Sequence, residues 1–151
     1  AILTEMISNR CHYALRAMLE LALREGRGPV TIAEIASAQR IPVRFLEAIM
    51  RQLKQAGLAE SARGKEGGYY LTRPAGSIHA GEIIALFTGP LFANPDQRGP
   101  NRSADEEPDV FASLWREADS AVASVFERHT LASLVEQELQ RRYTTASNYT
   151  I

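Results

Sequence analysis

The sequence predicts a mostly α fold carrying a small β wing: a winged helix-turn-helix followed by a long C-terminal helix. Three observations within residues 31–73 and beyond support it. A capped helix, a tight turn and a second, two-faced helix follow one another without interruption. Next comes a hairpin whose tip, Arg63-Gly64-Lys65-Glu66-Gly67-Gly68-Tyr69, is glycine-rich and basic. After a stretch rich in Gly, Pro, Asn and Asp, one long amphipathic helix remains. Few supersecondary units other than the winged helix share that order.

The first helix spans residues 8–24, with Ser8 as its N-cap and Tyr13, Ala14, Ala17, Met18, Leu21 and Ala22 recurring at helical spacing. Thr31 opens the second helix with a capping box, because Glu34 stands three residues on and can reach back to the Thr31 amide. Val30 and Ile35 occupy the staple positions around that cap, and Ile32, Ile35 and Ala36 face inward. The turn Gln39-Arg40-Ile41-Pro42 follows, with Ile41 buried and Pro42 in the first turn of the third helix. That helix covers residues 42–56 and stops at Gly57. Phe45, Leu46, Ile49, Met50 and Leu53 form its buried stripe, while Arg44, Glu47, Ala48 and Arg51 line another face.

Residues 58–62 and 69–72 make the two wing strands, and residues 77–87 a short helix. Residues 89–108 read as a linker. Phe111, Leu114, Trp115, Ala118, Val122, Val125 and Phe126 then trace an apolar stripe along the long helix. A second copy of the chain is the expected cover for it, because two-fold symmetry matches a palindromic DNA site. Thr130 caps a last short helix ending at Leu139, and residues 141–151 read as a loose tail. The expected division is therefore 6–88 for the winged head, 89–108 for a linker or sensor loop, 109–140 for the dimerisation helix with the short helix, and 141–151 for the tail.

Composition narrows the function class. With 151 residues, 45% hydrophobic and 23% charged, the chain is expected to fold as a soluble protein. No apolar run approaches the roughly 20 residues that span a bilayer, and no signal-peptide plan opens the chain. A single cysteine suits the cytoplasm and excludes an intrachain disulfide. The net charge of −1 hides an uneven distribution. Residues 31–73 hold Arg40, Arg44, Arg51, Lys54, Arg63, Lys65 and Arg73 against Glu34, Glu47, Glu60 and Glu66, whereas Asp105-Glu106-Glu107-Pro108-Asp109 is acidic. A basic head on an acidic body is a workable arrangement for a regulator, and with the winged helix-turn-helix order and the basic tip the expected partner is double-stranded DNA.

The residues assigned to DNA are Thr31, Arg40, Val43, Arg44, Glu47, Arg51, Arg63 and Lys65. Arginine pairs bidentately with guanine O6 and N7, and glutamate accepts from cytosine N4. Arg63 on a flexible tip suits a narrow minor groove and Lys65 a phosphate. The competing reading is a solvated helix face with a Glu47–Arg51 ion pair worth about 0.2–0.5 kcal/mol, and a plain solvent hairpin. Arg40 stands where a turn of this kind favours glycine, so either the turn is of another type or Arg40 accepts strain to touch a phosphate. Cys11 and His12 are the sensor candidates. Cys11 falls in the first helical turn beside Arg10, where the helix terminus and a cation lower a thiol pKa; the alternative is a packed Cys11 and a surface His12. His79 and His129 lack paired metal-ligand spacing, Trp115 reads as core, and the glycines of the tip do not form a phosphate loop. No catalytic constellation is evident, so the chain is not expected to be an enzyme.

Several segments together resemble one family, the bacterial winged-helix regulators of the IscR/NsrR/CymR type. They are Ser8 with Tyr13-Ala14-Leu15-Arg16-Ala17-Met18-Leu19, Thr31-Ile32-Ala33-Glu34-Ile35-Ala36, Ile41-Pro42-Val43-Arg44-Phe45-Leu46-Glu47, Leu53 with Gly57-Leu58, Arg63-Gly64 with Gly67-Gly68-Tyr69 and Leu71, and Gly81-Glu82-Ile83-Ile84. The resemblance implies a homodimeric transcription factor, a repressor by expectation, and singles out Arg44 and Glu47. It also places the usual start at Met6, which makes residues 1–5 an extension or a vector remnant. Cluster-binding members carry three cysteines in the linker; residues 93–109 here contain neither cysteine nor histidine. Thiolates hold such clusters, so no cofactor of that kind is expected, while an unusual cluster at Cys11 and His12 stays open. The alternatives to a DNA reader are a redox or metal sensor using Cys11 and His12, and a winged-helix protein-interaction module without DNA. Effector and operator stay unassigned.

Overall fold

The computed structural model describes residues 2–65, 67–88 and 110–149. Its elements are α1 (Ile2–Met6), α2 (Asn9–Leu23), α3 (Ile32–Gln39), α4 (Val43–Gln55), β1 (Ala59–Ala62), β2 (Gly68–Leu71), a 3-10 turn (Ala75–Ser77), α5 (Ala80–Thr88), α6 (Val110–Arg128) and α7 (Leu131–Asn148). The linker expected at 89–108 lies outside the described residues.

Local signals place most boundaries. Ser8 Oγ accepts from the Cys11 amide at 3.2 Å and starts α2. At α3 both halves of the capping box form: Thr31 Oγ1 accepts from the Glu34 amide at 3.1 Å, and the Thr31 amide donates to Glu34 Oε2 at 2.8 Å. Pro42 sits at the N-cap of α4, one residue before the first helical turn expected of it.

α2 is the hub and packs on α3, α4, α5 and α7. Ala14, Ala17 and Met18 of α2 meet Ile35 of α3 and Leu46, Ile49, Met50 and Leu53 of α4 in one fully buried core. The antiparallel pair β1–β2 joins Ala59 to Leu71 and Ala62 to Gly68. Beyond it, Val30 pairs with Tyr69 through two 2.8 Å backbone hydrogen bonds, which ties the root of the wing to the start of α3. A second isolated bridge, His79 with Thr130, anchors the start of α7, and Leu131 enters the same core with no exposed surface.

Two expectations are corrected here. Phe45 does not belong to the buried stripe of α4; it is 42% exposed, because it stands in the first turn of the helix, past the edge of the core. Nor do the residues after Leu139 form a loose tail: α7 continues to Asn148. Glu138 binds Arg141 at 2.7 Å and Arg142 at 2.8 Å, and Thr144 and Thr145 donate to the carbonyls of Gln140 and Arg141, four residues back. Those i, i+3 and i, i+4 links extend a helix that a short periodic pattern would have ended.

Candidate nucleic-acid interface

The candidate reading face is assembled by the turn between α3 and α4 and by the wing. Gln39, the last residue of α3, is held twice by α2: its side chain donates to Glu20 Oε2 at 3.4 Å, and its carbonyl accepts from Arg16 Nη2. Glu20 is buried and also pairs with Arg24 at 3.4 Å. Arg24 reaches Glu34 at 3.7 Å, so one polar chain runs from the capping box to the turn. Thr31 holds the Glu34 carboxyl below its usual range through backbone and side-chain hydrogen bonds, with the charge of Arg24 adding to them.

That bracing fixes the turn in the geometry expected to favour glycine. Arg40 adopts φ 54° and ψ 49°, the left-handed region, and its amide donates to the Ala36 carbonyl. A non-glycine residue there costs about 1–2 kcal/mol, so the turn is of the type that favours glycine and Arg40 carries its strain. Its side chain is exposed.

Val43, Arg44, Glu47 and Arg51 are all exposed on α4. The Glu47–Arg51 ion pair of the competing reading is not formed among the described residues. The Arg44 guanidinium lies 4.6 Å from the centroid of the Phe45 ring, and that ring stacks on Tyr13 at 6.3 Å with 18° between planes. Arg63 and Lys65 are exposed on the wing, and Thr31 is exposed at the head of α3. Lys54 and Arg73 are committed elsewhere: Lys54 pairs with Glu60 at 3.2 Å and donates to Ser61 at 2.6 Å, and Arg73 pairs with Glu82 at 2.6 Å. Among the described residues Arg40, Arg44, Arg51, Arg63 and Lys65 join no salt bridge, which leaves these exposed cations for an outside anion.

Sequence reasoning misses the supports: Glu20, Gln39, Arg16 and the Val30–Tyr69 pairing. Only Glu20, a carboxylate on the apolar face of α2, carries a signal that could be read without the structure.

The sensor candidates separate. Cys11 has no exposed surface, and burial pushes its thiol up to about 11, opposite to the lowered value expected from its place in the first turn. Desolvation of the thiolate outweighs the helix terminus there. His12 points elsewhere, its Nε2 3.0 Å from the Thr4 carbonyl of α1. The three thiolates of a linker-held iron–sulfur cluster are not available from a chain with one cysteine, and that cysteine is enclosed. His79 instead donates through Nδ1 to the Glu127 carbonyl at 2.6 Å. No helix among the described residues is long and apolar enough to cross a membrane.

Comparison with known proteins agrees with this geometry. Residues 7–137 match the Rrf2 family, described as iron-dependent transcriptional regulators. The chain is 33% identical over 133 residues to the HTH-type transcriptional regulator IscR of Klebsiella pneumoniae, covering 87% of this chain and 80% of that one. The structure of CymR (YrzC), the global cysteine regulator of B. subtilis, superposes with a TM-score of 0.74 at 34% identity, over 87% of this chain and 96% of CymR. T. potens IscR gives a TM-score of 0.74 at 31% identity, over 87% of both chains. The exposed cations, the braced turn and this likeness lead to one conclusion: the chain belongs to the Rrf2 family of winged-helix, DNA-binding transcriptional regulators.

Proposed function

We propose that the protein is a homodimeric repressor that reads a pseudo-palindromic operator with α4 and the wing of each copy, and that it binds DNA without a metal cluster. The observation that carries the dimer is α6. None of its residues is buried, although Leu114 is 50% and Trp115 56% exposed, with Phe111 and Val125 on the same stripe. So long an apolar stripe left in water marks an interface. Two copies joined there would present two reading faces, and a two-fold assembly matches a repeated half-site. In each half-site Arg44, Glu47 and Arg51 would meet base edges, Arg40 and Thr31 the backbone, and Arg63 and Lys65 the minor groove and phosphates. The single, enclosed cysteine supports DNA binding by the metal-free protein.

Sedimentation of the intact chain tests the assembly. The wild type is expected to run as a dimer at micromolar concentration, and Leu114→Asp or Val122→Asp to give monomers or aggregates. A well-behaved wild-type monomer would contradict the proposal.

A further inference from the structure

Phe45 is a large aromatic residue in a helix that buries four other apolar side chains, yet it stays 42% exposed in the first turn, next to Arg44. Its ring is not idle. One face stacks on Tyr13 of α2, and the guanidinium of its own neighbour, Arg44, folds over it at 4.6 Å. Successive residues on a helix normally point about 100° apart, so the Arg44 side chain must turn around the helix surface to reach that ring. Tyr13 in turn carries Arg16 at 5.8 Å from its centroid, and Arg16 donates to the Gln39 carbonyl at the end of α3. A cation, two stacked rings and a second cation thus form one continuous layer. It runs from the braced turn to the arginine assigned to base reading.

From this layer we propose that Phe45 is a positioning residue: its ring, backed by Tyr13, holds the Arg44 guanidinium in one orientation before DNA arrives and so sharpens sequence choice. The proposal rests on the DNA-reading face assigned above and names what orders it. A free arginine loses rotamer entropy when it docks on a base edge, and pre-ordering removes part of that loss. An exposed cation–π contact implies an effect of about 3- to 5-fold in affinity.

The test uses the full chain and a duplex enriched from a random library by the wild-type protein, with a scrambled duplex as reference. Phe45→Leu keeps apolar bulk and removes the ring; it is expected to weaken the enriched duplex about 3- to 5-fold and to leave the ratio for the scrambled duplex near one. Phe45→Tyr, which restores the ring, is expected to restore the wild-type ratio. In an Arg44→Ala background Phe45→Leu is expected to add nothing. If Phe45→Leu shifts the urea midpoint, Phe45→Met takes its place with the same expectations. Equal losses on both duplexes, failure of Phe45→Tyr to restore, or a full effect without Arg44 would each overturn the proposal. Enrichment of no duplex at all would overturn the DNA-reading face itself, and this proposal with it.

Discussion

Replacing Gly68 by alanine should uncouple the wing from the helix-turn-helix. Gly68 sits at φ +154°, and a Cβ built there would lie 2.5 Å from the carbonyl carbon and oxygen of Val30 and 2.9 Å from the Thr31 amide nitrogen. These are backbone atoms, which cannot rotate away as the end of a side chain can. The neighbouring Val30–Tyr69 bridge, two hydrogen bonds of 2.8 Å, is what must open to relieve the clash. Breaking two such bonds costs about 1–3 kcal/mol net, and overpacking with backbone shift adds about 1–3 kcal/mol. We therefore expect a loss of about 2–6 kcal/mol, a large part of the stability of an ordinary domain. Gly57→Ala is the control: Gly57 also has a positive φ, +76°, but nothing lies within 4 Å of its would-be Cβ. It should cost only the left-handed penalty, about 1–2 kcal/mol. Urea unfolding gives the two stabilities, and hydrogen exchange at the Val30 and Tyr69 amides reports the bridge. If Gly68→Ala costs no more than Gly57→Ala, or leaves both amides protected, the tie between wing and α3 is not what orders the wing.

Cys11 should resist thiol reagents in the native protein at pH 8 and react on unfolding, because its pKa is raised to about 11; rapid native labelling would contradict the burial. A raised folded pKa contributes stability that is full below the ordinary thiol value and is lost as pH rises towards about 11, so Cys11→Ala should flatten the alkaline fall in urea midpoint. Glu138 has the opposite sign: hydrogen bonds from Arg141 lead in holding its carboxyl down to about 2, although partial burial opposes them. Its contribution is present above the ordinary carboxylate range and fades as pH falls towards about 2, so Glu138→Gln should destabilise the end of α7 at pH 7, by about 0.5–1 kcal/mol, and the difference should vanish in acid. Circular dichroism melts at the two pH values check it.

What can be read in the sequence is local. The Thr31–Glu34 box, the Ser8 cap and the stop at Gly57 each depend on residues within one turn of each other, and all three are present. Phe45 departs from its expected place because the helical pattern ignores where along the axis the core ends; a residue of the right phase in the first turn can overhang it. Residues 141–148 depart from theirs because Thr, Ser and Asn weaken a helical pattern, while the Glu138 pairs that carry the helix onward are a side-chain matter. The lowered pKa expected of Cys11 uses a true local effect, and burial, which only packing reveals, reverses it. The supports of the reading face, Arg16 to Gln39 and Val30 to Tyr69, join residues 23 and 39 positions apart and leave no local trace.

Salt-dependent binding to the enriched duplex tests the central claim most directly. Arg44→Ala removes a base-reading group and should weaken the enriched duplex by about 1–3 kcal/mol, relaxing choice at one position of each half-site. Lys65→Ala removes a phosphate-binding cation; it should weaken enriched and scrambled duplexes alike and lower the slope of log affinity against log salt by about one for each phosphate left unneutralised. If Arg44→Ala leaves affinity and base preference unchanged, or if both substitutions act equally on every sequence, α4 is not the element that reads the DNA.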